Sequence, residues 1–234
     1  MLSAIAIVPS APVLVPELAG AAAAEVADLA AAVVAAAAVL PPRWIVVGTS
    51  PEDVVVSPES TGTFAGFGAD VRVRLAPQGG AAQVRDGTPT EMPLCALMAG
   101  WIRGKARPDG SVQVRAYASD HEPAAALVRG RQLRAEIDQD SDAIGVLIVA
   151  DGVNTLTPPA PGGYDPGSAD GQRLLDDALA GGDVDVLTRL PGGVVGRVAF
   201  MVLAGLTEPG PRSAKELYRG APYGVGYFAG VWQP

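Results

Sequence analysis

Histidine and cysteine, on which most transition-metal and nucleophilic chemistry leans, occur once each in these 234 residues, as His121 and Cys95. A facial triad for non-haem iron needs two histidines and a carboxylate, so this chain cannot build one from its own side chains. A single thiol also excludes an internal disulfide and fits a reducing compartment. Aromatic residues are scarce, at 5% of the chain, so alanine and valine must carry the core. Long hydrophobic runs are missing too. The longest uncharged run in the alanine-rich segment, Leu29 to Pro42, is mostly alanine and lies close to Glu25 and Asp28, which argues against a bilayer span. Basic residues are outnumbered, 17 against 25 acidic ones, for a net charge of −8. Such a surface repels phosphate backbones, and nucleic acid is not an expected partner. The N-terminus has no basic segment ahead of its apolar run, and Pro9, Pro12 and Pro16 follow it, so no signal peptide is expected. The expectation is a cytoplasmic protein with neither a membrane nor a nucleic-acid partner.

What is present is an alternation of apolar runs and helical patterns. Ile144 to Val149 is apolar and β-branched with no polar alternation, the pattern of an interior strand covered on both faces. Leu2 to Val8 and Trp44 to Val47 read the same way. Val71, Val73 and Leu75 alternate with arginines as a half-exposed strand, and Val54 to Val56, Val112 to Tyr117 and Tyr223 to Trp232 are further strands. Helices are expected from Pro16 to about Leu40, through Leu94 to Ile102 with Pro93 in the first turn, from Ser119 to about Ile137 and, capped by Asp170, through Ala180, with another around Val194 to Leu203. Ser119-Asp120-His121-Glu122 matches a capping box. Gly62 to Gly68 and Gly79 to Gly87 read as loops. The pattern predicts a single α/β domain over residues 1–234, with a mostly parallel or mixed central sheet and helices on both faces.

The sharpest chemical feature is Asp151-Gly152 at the carboxyl end of the Ile144 to Val149 strand, beneath a Pro/Gly-rich loop from Thr157 to Gly167. Open α/β sheets bind ligands outside the carboxyl ends of their strands. Asp151 is therefore a candidate acid or base, although Asp before Gly also simply makes a tight turn. Ser10 ends the first strand and either hydrogen-bonds a ligand or closes its own turn. Tyr164 and Asp165 lie on the long loop as lid residues or plain surface. Asp151 and Asp165 are the carboxylates available to a Mg²⁺ or Ca²⁺ site. His121 falls within the capping box, which places it in a solvated first turn. Cys95 sits on an apolar helix face and reads as a buried, inert thiol. No serine has a nucleophile-elbow setting, and no phosphate-cradling glycine motif follows a strand.

Four pieces, in this order, carry a resemblance. They are Val8-Pro9-Ser10-Ala11-Pro12 through Glu17, Val149-Ala150-Asp151-Gly152, Gly162-Gly163-Tyr164-Asp165, and Ala221-Pro222-Tyr223 through Tyr227-Phe228. Together they resemble the class III extradiol ring-cleavage dioxygenase superfamily, in its LigB-type catalytic chains, and within it a small actinobacterial branch. The resemblance implies an α/β domain with its active site at the carboxyl edge of the sheet, and a mononuclear Fe(II) that binds a catechol and O₂. This chain departs from the pattern at the metal. Ser10 stands where the first metal histidine falls, and Thr49-Ser50-Pro51-Glu52-Asp53 occupies the region of the second. The acid/base histidine has no counterpart between Asp151 and Thr155. No iron or other cofactor, and no ring cleavage, is therefore expected.

The resulting expectation is a dioxygenase-like protein with a degenerate metal site. A surviving pocket lined by Ser10, Thr49, Asp151, Asn154, Tyr164 and Tyr223 would take a small polar or aromatic ligand. Two alternatives stand beside it: an enzyme, metal-independent or using a carboxylate-bound metal, with Asp151 as acid/base, and a non-catalytic scaffold or interaction protein. The sequence leaves room for a homodimer.

Overall fold

The structure is a computed structural model that describes residues 1–77 and 89–234; the expected Gly79 to Gly87 loop lies outside them. The apolar run singled out above becomes strand β7, Ile144–Val149, with every residue buried. It pairs in parallel with β1 (Leu2–Val8) on one side and β2 (Arg43–Ser50) on the other. A strand flanked on both edges and covered on both faces has no position for a polar side chain, which is why its sequence shows no alternation. Four further strands are β3 (Val54–Val56), β6 (Ser111–Ala118), β8 (Ser213–Gly220) and β9 (Tyr227–Gln233), and the seven-stranded order is β3-β6-β2-β7-β1-β9-β8. The central four, β6, β2, β7 and β1, run parallel, while β3, β9 and β8 join antiparallel at the flanks. Strands β4 (Thr61–Thr63) and β5 (Arg72–Arg74) form a separate two-stranded ribbon.

Strand alternation divides the core into two layers. Ala4, Ala6, Val8, Leu147, Val149 and Tyr227 face one side, where α2 (Ala27–Ala38) and α3 (Leu94–Ala106) pack. Ile5, Ile7, Val146, Ile148, Phe228 and Trp232 face the other. That side is covered by α4 (Pro123–Asp138), α5 (Ser168–Gly181), α6 (Val184–Leu187) and α7 (Arg197–Thr207). The expected α/β architecture with a mixed sheet between helices is the one observed.

Several local expectations are corrected. The long helix from Pro16 breaks into a single turn, α1 (Pro16–Ala19), a 3-10 segment and α2, because Gly20 takes φ +55° and cannot continue the helix. Ser119 to Glu122 form no capping box: Pro123 occupies the first helical position, Glu122 becomes the N-cap, and no side chain caps the end. Asp170 is a first-turn residue of α5 and not its cap. Pro93 is the N-cap of α3, not a residue inside its first turn. Val194 and Val195 precede α7, and part of the Gly62 to Gly68 stretch is β4 followed by a 3-10 turn, Phe64–Phe67. The terminal strand begins at Tyr227, with residues 223–226 forming the turn into it. Strand β8 and helix α6 were not foreseen.

Candidate functional site

The carboxyl ends of β1, β2, β6 and β7 share one edge of the sheet, and the antiparallel β9 enters it at Tyr227. Asp151 leaves β7 at this edge in a turn held on every side by backbone hydrogen bonds. Ala150 N–H donates to Val8 O at 3.0 Å, Gly152 N–H to Gly226 O at 2.8 Å, Gly226 N–H to Val153 O at 2.8 Å and Gly196 N–H to Asp151 O at 2.8 Å. These bonds tie the turn to β1, to the segment before β9 and to the segment before α7.

Gln172 of α5 completes the lock. Its amide oxygen accepts from Val153 N–H at 2.9 Å, and its amide nitrogen donates to Asp176 at 2.8 Å. A Cβ at either Gly152 or Gly226 would collide with this amide, so both positions need glycine for close approach. Burial pushes the Asp176 carboxyl up to about 6, opposed by the Gln172 hydrogen bond and by Arg219.

Asp151 is half-buried as a residue, but its carboxyl group receives a single hydrogen bond, from Ser10 N–H at 2.7 Å. Burial dominates and pushes the group up to about 7, against the lowering effect of that one donor. Tyr227 lies close enough to feel the charge: its phenol is raised by burial first and by Asp151 second. Tyr227 also lines an open cleft of about 460 Å³ whose other walls include Pro12, Leu18, Tyr223 and Val225. Asp151 does not itself line this mostly apolar recess; Tyr227 is the residue common to the two. Clefts with this mix of apolar and aromatic walls are suited to small ligands.

The other expected site residues are placed variously. Ser10 meets Asp151 through its backbone N–H. Tyr223 lines the cleft, and its hydroxyl donates to Glu25 at 3.0 Å. Thr49 is in register with Tyr117 on β6, and so faces the α4 and α7 layer, away from Tyr227. Asn154 packs against Gly162 within its own loop. Tyr164 is 56% exposed, and Asp165 caps a turn by accepting from Gly167 N–H at 2.9 Å. His121 is not the solvated residue expected: its Nε2 is 2.7 Å from Asp53, which also accepts from Ala118 N–H and Arg129. Cys95 is buried as expected, and burial pushes its thiol up to about 12.

No family model matches the chain, and no curated protein matches it in sequence. A solved structure does resemble it: that of the uncharacterized protein JW3007 from Escherichia coli K12, at 11% identity. The TM-score is 0.57, and the match covers 98% of this chain and 99% of the other. The likeness extends over the whole fold and stops there. Gln172 and Tyr227 are the site residues missed from sequence. Tyr227 was legible as the aromatic entering the last strand, whereas nothing in the local pattern marks Gln172.

Proposed function

We propose that the carboxyl edge of the sheet is a small-molecule site at which Asp151 takes or gives a proton, on a fold related to the extradiol dioxygenases but working without their iron. The observation that carries this reading is the buried Asp151 carboxyl, which has one hydrogen bond and lies near enough to Tyr227, a wall of the apolar cleft, to raise its phenol. Carboxyls buried for stability alone are ordinarily surrounded by donors. One left with a single donor and a pKa near 7 is suited to general acid or base work.

Iron does not fit the donor set. Beside Asp151 the edge offers the Ser10 hydroxyl, while Thr49 faces the opposite layer. The other carboxylate of this edge, Asp53, is already held by Ala118 N–H, His121 and Arg129. The described residues contain no group of three His, Cys, Asp or Glu side chains placed to hold a metal ion. Neutral alcohol oxygens are weak ligands for Fe(II). The chemistry assigned to this chain is therefore limited to binding and proton transfer: Asp151 meets the ligand's polar group, and Tyr223 and Tyr227 flank its ring.

Phenol and catechol serve as probes. Saturable binding is expected, by ligand-detected NMR, with an affinity that titrates with a midpoint near pH 7 and loses that dependence in Asp151→Asn. Binding indifferent to that substitution, or no binding, would remove the proposal. So would stoichiometric iron in protein purified without chelator.

A further inference from the structure

We propose that the cleft between β5 and the last turns of α3 binds a small, soluble phosphate monoester. Its volume is about 370 Å³, enough for a small metabolite, and its lining shares no residue with the cleft at Tyr227. Gly100 brings the two walls together: a Cβ there would stand 3.0 Å from the Val73 Cβ and 3.3 Å from the Arg74 carbonyl oxygen. Gly104, one turn further along α3, also lines the cleft, and a Cβ there would meet nothing within 4 Å.

The lining gathers positive charge on a chain whose net charge is −8. Arg72, Arg74, Arg103 and Lys105 stand in it against a single carboxylate, Glu17. Arg103 is its anchor. It is 8% exposed, and its hydrogen bonds all go to backbone carbonyls: Nε donates to Arg74 O at 2.9 Å, and Nη1 to Pro108 O at 2.6 Å and Gly110 O at 3.4 Å. Burial works against its charge, and Asp109 supports that charge without an ion-pair contact. Its Nη2 has no acceptor among the described residues, yet it keeps accessible surface, unlike the fully buried Nε atoms of Arg107 and Arg115. A largely buried cation with no carboxylate against it is costly, and a guanidinium fork matches phosphate geometry. Arg72 and Lys105 make no ion pair among the described residues; Lys105 rests over the Trp101 ring, 5.9 Å from its centre. Cations thus stand on both walls, on β5 and on α3, and a dianion with oxygens on several sides answers more of them than a planar carboxylate does. A polyanionic chain or an anionic membrane would also meet the acidic surface beyond the cleft, whereas a small ester meets only the cleft.

The probe is ribose 5-phosphate, titrated at constant ionic strength into the ¹⁵N-labelled full chain, with ribose as its uncharged counterpart. Saturable shifts are expected at the Arg72, Val73, Trp101 and Gly104 amides, and none with ribose. Gly104→Phe keeps every charge but fills the cleft, and should weaken binding about tenfold or more, as should Arg72→Gln combined with Lys105→Gln. Should Gly104→Phe fail to fold, the Arg72 and Lys105 pair carries the test alone. Lys215→Gln removes a positive charge from β8 instead and should change nothing. Asp151→Asn should leave the titration unchanged as well, so this site stands or falls independently of the one at Asp151. No saturable shifts, equal shifts with ribose, binding that survives Gly104→Phe, or an equal loss in Lys215→Gln would overturn the proposal. So would shifts obtained only with vesicles containing phosphatidic acid, which would put the phosphate on a lipid.

Discussion

At the scale of single residues, Asp151 and Gln172 do opposite jobs in the same turn. Asp151 costs stability when charged. Its folded pKa of about 7 lies above the ordinary carboxylate value of 3.8, so between these pH values the native state holds a proton that the unfolded chain has released. Stability therefore falls as pH rises from about 4 to 7, and the penalty is complete above 7. Asp151→Asn should raise stability at pH 8 by about 2–4 kcal/mol and change it little near pH 4.5, as read by urea unfolding at both pH values. Gln172→Ala should do the reverse of stabilising. It strands Val153 N–H and Asp176 in a buried setting and should lower stability by about 2–4 kcal/mol. With its turn loosened, the Asp151 carboxyl should also titrate nearer 4 by ¹³C NMR. An unchanged titration would mean that Gln172 does not hold the site in place.

At the scale of elements, helices α4 and α7 cross at two glycines. A Cβ on Gly130 would run into the Val202 carbonyl and the Leu206 backbone nitrogen, and one on Gly205 into the Leu127 carbonyl. Gly104, in α3, meets nothing within 4 Å. The intrinsic gain from Gly to Ala in a helix is about 1 kcal/mol, and forcing backbones apart costs about 1–3 kcal/mol. Gly104→Ala should therefore stabilise the protein while Gly130→Ala destabilises it by about 2 kcal/mol, measured side by side in denaturant. Legibility in the sequence follows the same physics. Strand β7 could be read because burial on both faces erases polar residues, and Asp151 could be read because it terminates that run. Strand β8, with Lys215, Glu216 and Arg219, lies at the sheet's edge, where charge is tolerated and no apolar alternation is imposed. Thr49 could not be assigned to a layer from its neighbours, since a side chain's face depends on register with a strand more than sixty residues away. Gln172 was hidden for a similar reason: beyond Asp176 in its own helix, the groups it meets are in the Asp151 loop and before β9.

At the scale of the whole molecule, the titrating groups divide into two sets with opposite signs. Asp151 and Asp176 have raised pKa values and subtract stability as pH rises through the range from 4 to 7. Asp53, Asp140 and Glu208 have lowered ones, through hydrogen bonds and partner cations that outweigh burial, and their contribution is lost as pH falls below about 4. The melting temperature should accordingly peak in mild acid, near pH 5, and decline on both sides. A maximum at pH 8 would contradict the assignment of Asp151 and Asp176 as buried, protonatable groups. No helix among the described residues is long and apolar enough to cross a membrane.

The strand order also bears on how the chain comes into being. β1 is clasped between β7 and β9, both far along the chain from it, and Trp232 of β9 donates to Leu179 O at 2.7 Å. During synthesis one flank of β1 must wait for residues near 144 and the other for residues near 230. Until then its hydrogen-bonding edges are bare. Slow refolding and a need for dilute conditions or a chaperone are the expected signatures of such wiring.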